Sequence, residues 1–70
     1  MSNAEHLVKM ANQISQFFET QPSREEAVAG VLGHLQRFWE PRMRRAIVEH
    51  ARAGGAGLRE VAAEAVARLP

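Results

Sequence analysis

Apolar positions along this chain recur at steps of three and four residues, and no stretch alternates as a half-buried strand would. Leu7, Met10, Ala11, Ile14, Phe17 and Phe18 predict an amphipathic helix over about residues 4–19. Glu5, Lys9, Asn12, Gln16 and Glu19 fall mostly on its other side, and Asn3 is placed to cap it. The segment TQPSREE interrupts the pattern. Pro22 stops the first helix, and Ser23 followed three residues later by Glu26 is a capping box that opens a second, over about 24–37. Its inward positions are Ala27, Val28, Val31, Leu32 and Leu35. Gly30 and Gly33 each cost about 1 kcal/mol relative to alanine inside a helix, which predicts close approach of a neighbouring helix at that surface.

The run FWEPRMRR, residues 38–45, sets two aromatics and a proline against three arginines. The residue before a proline avoids the α region, and proline suits a first helical turn, so a third helix is expected over about 41–53. Met43, Ala46, Ile47 and His50 are expected inward. Gly54 then stops this helix and GGAG forms a loop. A fourth, alanine-rich helix over about 58–69 turns Leu58, Val61, Ala62, Ala65, Val66 and Leu69 inward. The fold class expected is all-α: one domain over residues 1–70, a small bundle of three to four helices. The short connections favour antiparallel neighbours.

Seventy residues with 12 alanines among the hydrophobic positions leave a thin core. The gain from burial in a domain this small barely exceeds the ordering entropy of its chain. There is no cysteine, so neither a disulfide nor a thiolate metal site supplies the difference. A partner, or self-association of the isolated chain, is the expected remedy. No apolar run is long enough to span a membrane and the first residues lack the pattern of a secretion signal, so the expected location is cytoplasmic.

Net charge is only +1, but its distribution is uneven. Residues 1–36 sum to −2, residues 37–52 to +3, and residues 53–70 to zero. Enzymatic chemistry finds little support. Ser2, Ser15 and Ser23 sit in no nucleophile motif. His6, His34 and His50 do not make a metalloprotease spacing, and a pair of His34 with His50 across helices would fall short of the three or four ligands zinc requires. Arg37, Arg42, Arg44, Arg45 and Arg52 make a phosphate footprint conceivable. Against it, the chain has a single lysine and an acidic first half, and the third helix lacks base-reading amides. Docking to protein is the better match, because tryptophan and arginine dominate interface hot spots. Phe38 is expected in the core. Trp39, its neighbour, is left between core and partner, with Arg42, Arg44 and Arg45 as a rim that pairs with carboxylates. A polar strip of Asn12, Gln13 and Gln16 on the first helix is the alternative surface.

Two stretches, LVKMANQISQFF (7–18) and HLQRFWEPRMRRAI (34–47), with the following GGAGL (54–58), resemble the delta subunit of cytoplasmic NAD-dependent formate dehydrogenase. The resemblance implies a non-catalytic accessory subunit that carries no cofactor. Its partners would be the catalytic alpha subunit together with beta and gamma subunits. Those larger subunits would hold a molybdenum or tungsten bis-pterin centre, iron–sulfur clusters and flavin, and oxidise formate to carbon dioxide with reduction of NAD. A transient chaperone for insertion of the molybdenum cofactor is the alternative within the same resemblance.

Overall fold

The computed structural model describes residues 3–70, and among these it forms four α-helices and no strand. They are α1 (Asn3–Phe18), α2 (Arg24–Phe38), α3 (Pro41–Arg52) and α4 (Glu60–Ala67). Ser2 lies outside the described residues, and Asn3 falls within α1 rather than before it. No described helix is long and apolar enough to cross a membrane.

Each boundary has a local cause. Ser23 takes an extended conformation and its hydroxyl accepts the Glu26 N–H at 3.1 Å. The Glu26 carboxylate accepts from the same hydroxyl at 3.2 Å, so the two residues of the capping box lock onto each other. Pro41 occupies the first turn of α3 behind an extended Glu40. At the far end of α3, Gly54 N–H reaches Ala51 O at 3.2 Å and Gly55 N–H reaches His50 O at 3.0 Å. That pair of bonds is a Schellman closure, and it requires the positive φ of 115° that Gly54 supplies. α4 is shorter than its periodicity suggests by two residues at each end, although Leu69 beyond it is still buried.

Helices α1 and α4 each pack against both α2 and α3, whereas α2 and α3 barely touch. The expected antiparallel pairing of consecutive helices therefore fails at this junction. Only Trp39 and Glu40 separate the two helices, and both are extended, so α3 leaves the corner instead of folding back along α2. α4 buries the positions that its periodicity turned inward. Val61, Ala62, Ala65 and Val66 are all buried, and α2 is its main packing partner. Small side chains let two helix backbones come close, and the alanine-rich helix packs firmly on α2.

The core line of α2 runs Ala27, Val31, Leu35 and Trp39 at steps of four. Trp39 continues the line because its N–H still bonds to Leu35 O at 3.1 Å; it is 4% exposed. Phe38 ends the neighbouring line through Gly30 and His34 and is 69% exposed, reversing the expected burial. α1 behaves alike. Its core line is Leu7, Ala11 and Ser15, while Met10 and Ile14 are half-buried and Phe17 is 68% exposed. The buried Ser15 was not anticipated. Its hydroxyl donates to Glu19 Oε2 at 2.5 Å, which satisfies it in an otherwise apolar line.

Candidate interaction surface

Three polar arrangements divide the charged residues of the fold. On the first, α1 holds the loop before α4. Asn12 Nδ2 donates to Gly57 O at 2.8 Å, and Asn12 Oδ1 accepts the Arg59 N–H at 2.9 Å. The Arg59 guanidinium then meets the Glu19 carboxylate with two bonds, of 2.9 and 2.8 Å. The hydrogen bonds from Arg59 and then Ser15 pull the Glu19 carboxyl from 4.5 down to about 2, beside the positive charges of Arg59 and Arg24. Asn12 is thus committed to tertiary structure, which removes it from the polar strip that offered an alternative docking surface.

The second arrangement ties α2 to α4. Arg24 bridges Glu60 at 3.3 Å and Glu64 at 2.9 Å, and Arg68 bridges Glu25 and Glu64, both at 2.9 Å. Hydrogen bonds from Arg68 hold the Glu25 carboxyl below its ordinary value, and Glu64 raises Arg24. These pairs are largely exposed and screened by solvent, so each contributes little to stability. Their second effect is on charge distribution. Three arginines (Arg24, Arg59, Arg68) consume four of the eight glutamates. A hollow of about 460 Å³ beside them, lined by Glu19, Arg24, Arg59 and Glu60, has its charged groups already paired with one another.

The third is the corner between α2 and α3. Arg44 Nη1 donates to Trp39 O, and to Gln36 O at 3.4 Å, so this arginine closes carbonyls at the end of α2. Arg37, Arg42, Arg45 and Arg52 are exposed, and none enters an ion pair among the described residues. With only Glu40 and Glu49 among them, residues 37–52 keep their net +3 on the folded surface. Of the residues read as partner-binding, Arg42 and Arg45 present free guanidinium groups, Arg44 is half-buried in its capping role, and the Trp39 ring is inside the core.

Beside this corner runs an apolar face that sequence reasoning missed. The rings of Phe17 and Phe18 meet edge to face at 5.1 Å, Phe18 and His34 are 6.5 Å apart, and His34 and Phe38 are 4.8 Å apart. The row crosses from α1 to α2. Two hollows flank the Phe18–His34 ridge. One, of about 290 Å³, is lined by Gln13, Ile14 and Phe17; the other, of about 220 Å³, by Ala29, Gly30, Gly33, Arg37 and Phe38. His34 therefore does not pair with His50, whose Nε2 lies 2.8 Å from Ala56 O. Among the described residues no cluster of three or more His, Asp or Glu gathers as a metal site would require.

The family model of the NADH-dependent formate dehydrogenase delta subunit FdsD matches residues 6–66. The chain belongs to this delta-subunit family. No curated protein and no solved structure matches it significantly. The matched span takes in all of α2, α3 and the loop that Asn12 clamps, and so both the arginine corner and the aromatic face of this delta-subunit relative.

Proposed function

We propose that this chain is a non-catalytic accessory subunit of an NAD-dependent formate dehydrogenase, docking on the catalytic alpha subunit and supporting assembly or stability of the cofactor-loaded complex in the cytoplasm. Membership of a delta-subunit family supports a place in such a complex. The observation that carries the docking role is the segregation of charge. The ion pairs of α1, α2 and α4 absorb half of the carboxylates and leave Arg42 and Arg45 free at the α2–α3 corner. Free, closely spaced guanidinium groups favour a carboxylate-bearing surface. In this reading the bis-pterin molybdenum or tungsten centre, the iron–sulfur clusters and the flavin reside on the alpha, beta and gamma subunits. This chain contributes a helical surface to them.

The test is to express the other subunits with and without this chain and measure metal content and formate oxidation of the purified enzyme. Loss of cofactor-loaded enzyme without the chain is the expected result. If the enzyme assembles, loads and turns over equally well in its absence, the proposal fails. Arg42→Ala with Arg45→Ala probes the corner. Trp39 is unsuited to that purpose, because its removal empties the core.

A further inference from the structure

We infer that the aromatic face of α1 and α2 receives an apolar helical segment flanked by carboxylates, contributed by another subunit of the enzyme; this rests on the accessory-subunit reading above. Among the described residues, Phe17 and Phe38 are the large hydrophobic side chains left mostly in water, at 68% and 69% exposure, and they stand at opposite ends of one row. Between them, Phe18 and His34 form a ridge with a hollow on each side. Two hollows on either side of one ridge suit apolar residues of an incoming helix at i and i+3 or i+4, one in each hollow.

Charge selects the occupant. Arg37 lines the hollow next to Phe38, and Arg42 follows five residues later, past the α2–α3 corner. The Glu19 carboxylate, just past α1, is bound to Arg59, and Glu26 lies at the opposite end of α2, so neither neutralises the corner. Aspartate or glutamate beside the apolar anchors of the incoming segment would complete it. A second copy docked corner to corner would instead set +3 against +3.

The experiment co-expresses the tagged chain with the other subunits and places the photo-crosslinker benzoylphenylalanine at position 38 or, separately, position 45. The expected product at position 38 is a single crosslinked peptide from one enzyme subunit, with apolar residues at helical spacing and flanking carboxylates. Phe17→Ser with Phe38→Ser is expected to lower retention of the other subunits at least about tenfold, with helical content and Trp39 fluorescence unchanged. Crosslinking of position 38 to a second copy of this chain, or to a basic or wholly polar segment, overturns the inference. So does wild-type retention by the double variant. If position 45 crosslinks to a subunit and position 38 does not, this face falls and the accessory-subunit reading stands. If the unmodified chain retains no enzyme subunit at all, both fall.

Discussion

Gly30 of α2 faces the ring of Phe18 of α1 so closely that a methyl group on it would lie 2.2 Å from Phe18 Cδ1. The ring occupies the space that a side chain at position 30 would need. Gly33, three residues on, has nothing within 4 Å of the same imagined methyl.

These two glycines should therefore respond in opposite ways to alanine. Gly33→Ala gains helix propensity without a clash and should stabilise the fold by about 0.5–1 kcal/mol. Gly30→Ala gains the same propensity but must displace Phe18, and should destabilise by about 1 kcal/mol net. Chemical denaturation followed by fluorescence of Trp39, the sole tryptophan, measures both. Equal stabilisation by the two substitutions would show that Phe18 moves aside freely.

Acid should weaken the fold through Glu19. Its carboxyl titrates near 2 when folded and near 4.5 when unfolded, chiefly because Arg59 donates to it. A depressed folded value means the stabilisation is complete above about pH 4.5 and drains away as pH falls toward 2. Glu25, lowered by Arg68, adds to the same trend. Glu19→Gln should lower the melting temperature at pH 7 and flatten its decline between pH 5 and pH 2. A wild-type melting temperature that does not fall across that interval would contradict the assignment.

The arginines of the corner should separate by role. Arg44→Ala strips the guanidinium from the carbonyls of Gln36 and Trp39 and should cost about 1 kcal/mol of stability. Arg42→Ala and Arg45→Ala remove exposed groups and should stay within about 0.5 kcal/mol of the parent. Thermal melts of the three variants decide it; similar losses at all three positions would place Arg42 and Arg45 in the fold rather than at its surface.

Helix identity was legible because it depends on local chemistry: Ser23 with Glu26, Pro41 and Gly54 each act within a turn of themselves. The four-helix, all-α class followed from the same signals. What was not legible depends on a choice between adjacent helical lines. Phe38 and Trp39 both continue an apolar spacing from Leu35, at three and four residues. Only the placement of the other helices in the fold decides that Trp39 is covered while Phe38 is not. The burial of Ser15 was not legible because its partner Glu19 is anchored by Arg59, forty residues away. The aromatic face was hidden for the same reason. Phe17 and Phe38 belong to different helices, and each taken alone reads as core. The arginine cluster was visible in the sequence, but not the use of Arg44 as a helix cap.

Native mass spectrometry of a formate dehydrogenase purified through a tag on its catalytic subunit tests most directly whether this chain works as a bound subunit. One copy of the chain for each catalytic subunit is the predicted composition. Fully loaded, fully active enzyme that lacks the chain would contradict it.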